Sequence, residues 1–138
     1  MAITLTYAPE GGTATTITLS DRLVWRDENA WQPPQMETDY GTQGDLMVHV
    51  RVRRAGRPIT LEGQDSAAWM SRADIEALQA WAAIPGAQFT LHLRGVDRTV
   101  MFDATGGAAI DARPLWDLAD GEQSADMPMV PTFRFIEL

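Results

Sequence analysis

The chain is 138 residues long and carries nineteen acidic side chains against eleven basic ones, a net charge of −8, with no cysteine. That length suits a single domain over residues 1–138. So acidic a surface excludes specific nucleic-acid binding, which needs basic side chains for the phosphates, and the lack of thiols excludes disulfides, thiolate metal sites and cysteine catalysis.

The opening residues, Met1 to Tyr7, lack the basic start and apolar stretch of a signal peptide, and no apolar run approaches a membrane span. Folding in the cytoplasm, with no membrane span, is therefore expected. Ile3 to Tyr7 and Thr15 to Leu19 are rich in β-branched residues and flank Pro9-Glu10-Gly11-Gly12, which predicts a hairpin. Arg22 to Arg26 reads as a third short strand. Residues 27–44, with Trp31, two prolines, Tyr40 and two glycines, read as a long irregular connection.

Leu46 to Arg53 is the clearest strand. Leu46, Val48, Val50 and Val52 alternate with Met47, His49, Arg51 and Arg53, one face apolar and the other largely charged. Ala55-Gly56 turns the chain, and Arg57 to Glu62 is expected to return as its partner, at an edge because of Pro58. One helix is predicted over residues 72–83. Ser71 caps it, Asp74 stands where a capping box has its acid, Ile75, Leu78 and Ala82 share a stripe beside Trp81, and Pro85-Gly86 ends it. A helix this short needs a sheet to dock on.

A second hairpin follows, with Phe89, Leu91 and Leu93 on one face, Gly95-Val96-Asp97 as its turn, and Arg98 to Phe102 returning. A further strand is expected within residues 106–115. Trp116 to Pro128 forms a loop holding Asp117, Asp120, Glu122 and Asp126 with no base, and Val130 to Leu138 forms the last strand. Many short strands with one helix predict a mostly-β fold: a β-sandwich or partly open β-barrel with a docked helix.

The residues for chemistry are sparse. None of Ser20, Ser66, Ser71 and Ser124 sits in a G-x-S-x-G elbow, and Ser71 is better explained as a cap. His49 and His92 fall on polar strand faces; two imidazoles meeting across strands would make only a weak metal site. The acidic loop has carboxylates and a glycine, but not the ligand spacing of an EF-hand. A distant carboxylate pair is compatible with glycoside hydrolysis, yet a chain this size leaves little room for a cleft. No glycine-rich loop fits a nucleotide. The expectation is a protein without catalytic residues, metal or cofactor.

All eleven bases are arginine. A GC-rich genome accounts for that; alternatively, the planar arginine fork suits ordered interfaces better than lysine does. Of the five tryptophans, Trp69 and Trp81 read as core around the helix, while Trp25, Trp31 and Trp116 lie in or beside irregular segments. These three either plug the ends of the sandwich, form an interface with arginines, or make a sugar-stacking platform. With Arg51, Arg53 and Arg94 they are the interface candidates.

The order of elements carries a resemblance. A strand ending Gly56-Arg57-Pro58-Ile59-Thr60-Leu61 leads to Trp69, then a helix with Glu76-Ala77-Leu78-Gln79-Ala80-Trp81, then Pro85-Gly86. Next come Gln88-Phe89-Thr90-Leu91-His92-Leu93, Arg113 to Leu115, and the terminal Phe133-Arg134-Phe135-Ile136-Glu137-Leu138. In layout and in these residues the chain resembles the small minor tail and distal tail proteins of long-tailed siphophages and related prophages. The resemblance implies a tail-tube-like β fold, no catalytic residues, and assembly as a ring at the distal end of the tail. Its partners there would be the tube or tape measure and the hub or fibres. It places the protein in the virion, assembled in the host cytoplasm. Many distal tail proteins carry a further domain, for which this chain has no room. Arg51, Arg53, Arg94 and Arg134 beside acidic loops suit contacts between like subunits. The loop of Asp117, Asp120, Glu122 and Asp126 would then face a lumen or an interface. The alternative is a carbohydrate- or receptor-binding module built on Trp25, Trp31 and Trp116.

Overall fold

A computed structural model describes residues 2–138. In chain order the elements are β1 (Ile3–Tyr7), β2 (Thr15–Leu19), β3 (Val24–Trp25), β4 (Pro34–Tyr40), β5 (Leu46–Val52), β6 (Arg57–Glu62), β7 (Met70–Ser71), α1 (Arg72–Ala82), β8 (Phe89–Leu93), β9 (Val96–Phe102), β10 (Ile110–Pro114) and β11 (Pro128–Glu137), with a 3-10 turn at Asp120–Glu122. Among the described residues, nine strands make one antiparallel sheet along the path β2-β1-β8-β9-β11-β6-β3, with β7 and β10 also on β11; β4 and β5 pair only with each other.

The main sheet has to curl. Laid flat, seven strands about 4.8 Å apart would hold β2 and β3 roughly 29 Å from one another. Yet the chain joins those two ends of the path through four residues, Ser20 to Leu23, and five Cα steps reach at most about 18 Å. The sheet therefore folds over onto its own inner face without closing, since β2 and β3 do not pair. The result is a mostly-β, sandwich-like fold with one helix, as the pattern of short strands predicts.

Inside the curl lie Leu5, Ile59, Leu61, Leu91, Val100, Phe133 and Phe135, all essentially inaccessible. Aromatic rings run through this core as a chain of contacts. Trp81 stacks on Phe89 with centroids 5.7 Å apart, Phe89 meets Phe102 at 5.1 Å, and Phe102 meets Phe135 at 5.0 Å. Helix α1 joins that core through Ile75 and Leu78. The Ser71 hydroxyl accepts from the Asp74 N–H, as a helix cap should. The loop ahead of β11 accepts two more of the helix's first N–H groups, Arg72 N–H at Met127 O and Ala73 N–H at Ala125 O. Gly63 marks a close approach: its N–H bonds to Pro131 O at 2.7 Å, and a Cβ there would sit 2.9 Å from that oxygen.

Trp69, expected in the core around the helix, is instead 45% exposed and donates its Nε1–H to the Asp65 backbone oxygen at 3.0 Å. Three further sequence expectations are corrected. First, β6 is not the partner of β5. It pairs with β11, from Arg57↔Glu137 to Glu62↔Thr132, because residues 53–56 carry the chain back into the main sheet. The two-residue β3 covers its other side only at Leu61 and Glu62. Second, residues 27–44 are not irregular throughout, since Pro34–Tyr40 is a strand along the whole of β5. Third, the β8–β9 turn is Arg94-Gly95, with both at positive φ (51° and 76°) and Leu93 paired to Val96. A two-residue turn of that hand matches the strand twist, and arginine is not a residue that announces it.

Leu78 is fully buried beneath α1, so Leu78→Ala is expected to destabilise the fold by about 2–5 kcal/mol, measured by urea unfolding.

Candidate functional site

The most exposed ordered element is the arm formed by β4 and β5. All seven residues of each strand are exposed. Cross-strand partners share a face, so the register Pro34↔Val52, Met36↔Val50, Thr38↔Val48 and Tyr40↔Leu46 puts the apolar residues of both strands on one side. Their exposure runs from 47% at Val48 to 69% at Tyr40. The opposite side carries Gln35, Glu37, His49 and Arg51 around a shallow hollow, with Asp39 and Met47 nearer the tip. Seven residues per strand make an apolar strip about 20 Å long and two strands wide.

A two-stranded ribbon alone is marginal in water, and a contiguous apolar face on a protein surface marks a contact site. The alternation in Leu46–Val52 thus marks an apolar strand face that no element among the described residues covers. The same alternation stands in Gln35-Met36-Glu37-Thr38-Asp39-Tyr40, and it was the signal for β4, masked by the prolines and glycines around it.

The arm rises from an arginine-rich end of the main sheet. Arg53 N–H bonds to Pro33 O at 2.8 Å, and the Arg53 guanidinium lies 5.3 Å from the Trp31 ring centre. Trp25 is buried, with the guanidinium groups of Arg57, Arg94 and Arg98 around its ring at 4.8, 5.4 and 5.3 Å. Arg94 pairs with Glu28, and Arg98 with Glu137 at 3.1 Å. Arg57 donates to the Glu28 backbone oxygen at 2.7 Å. Trp31, Arg54, Arg57, Arg98, Glu137 and Leu138 line a concavity of about 220 Å³ here. The end is rich in donors and short of acceptors: Trp25 Nε1, Trp31 Nε1, Arg57 Nε and Arg98 Nε are buried without a hydrogen-bond partner.

The acidic loop stands elsewhere. Asp117, Asp120, Glu122 and Asp126 are all exposed, and none is ion-paired among the described residues. Glu122 Oε2 accepts from Ala119 N–H at 3.4 Å, and Gln123 Nε2 donates to Leu118 O at 3.1 Å. Arg72, on the first turn of α1, anchors the loop through the Gln123 side chain. Trp116 and Leu118 are exposed on the same loop, at 56% and 38%.

The predicted residues therefore divide. Arg53, Arg94, Trp25 and Trp31 come together at the foot of the arm, Arg51 sits on the arm's polar side, and Trp116 joins the four carboxylates on the acidic loop. Trp25 offers no ring face outward and Trp31 lies beneath Arg53, so the three tryptophans share no flat platform for a sugar. His49 and His92 are on different sheets; His92 Nδ1 meets Asp97 Oδ1 at 2.6 Å. Arg134 donates to Ala108 O at 2.9 Å. Sequence reasoning missed Met36 and Tyr40, whose strand it did not see, and Arg54, Arg57 and Arg98. Comparison with protein-family models, curated proteins and solved structures returns no match.

Because the arm's apolar side chains touch no core, Val48→Thr with Val50→Thr is expected to change unfolding free energy by less than about 1 kcal/mol, measured by urea denaturation. A larger loss would show that the arm packs on its own domain.

Proposed function

We propose that this protein is a structural subunit that assembles with copies of itself, as a ring-forming component of the distal tail of a long-tailed bacteriophage. The observation that carries the reading is the β4–β5 arm, a paired ribbon with one continuous apolar face and no covering element among the described residues. Neighbouring subunits supply the cover that an isolated ribbon lacks, and burial of several large apolar side chains supplies the driving force.

Rings built on heterologous contacts use two different patches of one chain, and this chain carries both an apolar, arginine-based arm and a separate acidic loop. The tail assignment rests on the resemblance in element order. In that setting the subunit sits between the tube or tape measure and the hub or fibres, in the virion, after assembly in the host cytoplasm. Its work there is to hold neighbours in register.

The test is assembly of the purified protein. Light scattering coupled to size exclusion, with negative-stain microscopy at high concentration, is expected to show a closed oligomer. Met36→Glu with Val50→Glu is expected to leave a folded monomer by circular dichroism. A wild-type protein that stays monomeric at high concentration, or a variant that assembles as wild type does, would overturn the reading.

A further inference from the structure

Strand β11 separates two oppositely charged ends of the molecule. Its last residue, Glu137, pairs with Arg57 on one side and Val100 on the other. Arg53, Arg54, Arg57, Arg94 and Arg98 lie at this end, and Gly56 N–H ties the foot of the arm to Glu137 O at 2.9 Å. Its first residues, Pro128 and Met129, pair with Ser71 and Met70 and, at Met129, with Pro114. The acidic loop enters there. Nine residue steps at about 3.3 Å put the two ends roughly 30 Å apart.

Neither end is neutralised locally. At the arginine end, Glu28 and Glu137 are engaged by Arg94 and Arg98, and Asp27 accepts from the Thr60 N–H and hydroxyl. Leu138 also borders the concavity there. Among the described residues, Arg53, Arg54 and Arg57 have no ion pair, and four N–H donors lack acceptors. At the other end Arg113 is taken by Asp65 and Arg72 by Gln123, leaving Asp117, Asp120, Glu122 and Asp126 unpaired. Both ends also expose apolar side chains, the arm's strip at one and Trp116 with Leu118 at the other.

We propose that the acidic loop of one copy docks on the arginine end of the next, so that subunits associate head to tail. The inference rests on the self-assembly reading above and names its contact. Separation of the two ends by the length of β11 prevents one chain from satisfying its own patches. Opposite ends of one chain are complementary only in a heterologous contact, which repeats from copy to copy.

Two full-length variants test it. Arg53→Glu with Arg54→Glu reverses the basic end, and Asp117→Arg with Asp120→Arg and Asp126→Arg turns the loop from four negative charges to a net positive one, all at exposed positions. Each alone is expected to lower the self-association constant by at least about tenfold by analytical ultracentrifugation, since like charges then face one another. Mixed in equal amounts, the two are expected to recover assembly in particles containing both, because every junction is again between opposite charges. If either variant alone assembles as wild type, or the mixture fails to recover while both remain folded by circular dichroism, the head-to-tail contact is wrong although self-assembly stands. If the wild-type protein does not associate at all, the self-assembly reading falls first. The loop variant guards against misfolding, because none of its substituted side chains touches the core.

Discussion

Strand β11 has to serve four neighbours at once, and the rest of the molecule is arranged around that demand. Its first part is hydrogen-bonded to β7 and β10 and its last part to β6 and β9. Alternation along it turns Phe133 and Phe135 inward. Those two rings end the aromatic chain that begins at Trp81 on the helix. A strand paired along both sides and packed on one face is fixed in register, because a slip by one residue would turn both phenylalanines to solvent. With β11 fixed, the four-residue link between β2 and β3 leaves the sheet no option but to curl.

Curling explains why the foot of the arm is polar. The inner face of the sheet is apolar over most of its length, but at the C-terminal end of β11 the inward register positions are Arg57, Arg98 and Glu137. These are long side chains whose stems cover apolar surface while their heads reach the rim. Trp25 serves as the floor on which three guanidinium groups lie. Arg94 and Arg98 are also ion-paired, to Glu28 and Glu137, while Arg57 is stabilised over the ring by its attraction to the indole quadrupole. Local excess positive charge can therefore persist in a chain whose net charge is −8.

Most of the fold could be read in the sequence, and the largest misreading, the partner of β5, was of a non-local pairing. The helix, its Ser71 cap, both hairpins of the main sheet and the final strand follow from local patterns: period-two alternation, a capping side chain, a proline-glycine stop. The partner of β5 does not. Alternation at Val48, Val50 and Val52 states that one face is to be covered, but it is silent on whether the cover belongs to the same chain. The prolines at 33 and 34 suggested a loop, yet Pro34 stands at the first position of its strand, where a missing N–H is tolerated. The arginine end was half legible, since Arg53 and Arg94 stood out beside tryptophans. Arg57 and Arg98 join them only through the pairing of β6, β9 and β11, which no local pattern records.

Arm and arginine end form one mechanical unit. Arg53 is held by Pro33 O and Trp31, Gly56 by Glu137 O, and Arg57 by Trp25 and the Glu28 backbone. The first pair of contacts joins the arm's two feet to each other, and the others tie the β5 foot to the end of the main sheet. A partner that settles on the apolar strip must therefore also fix the orientation of the arginines below it, and one that engages the arginines must steady the strip. The conformational entropy lost on ordering the arm is then spread over both contacts instead of falling on either alone. That coupling favours a partner which offers apolar and acidic groups together, and the loop of Trp116, Asp117, Leu118 and Asp120 offers both within five residues.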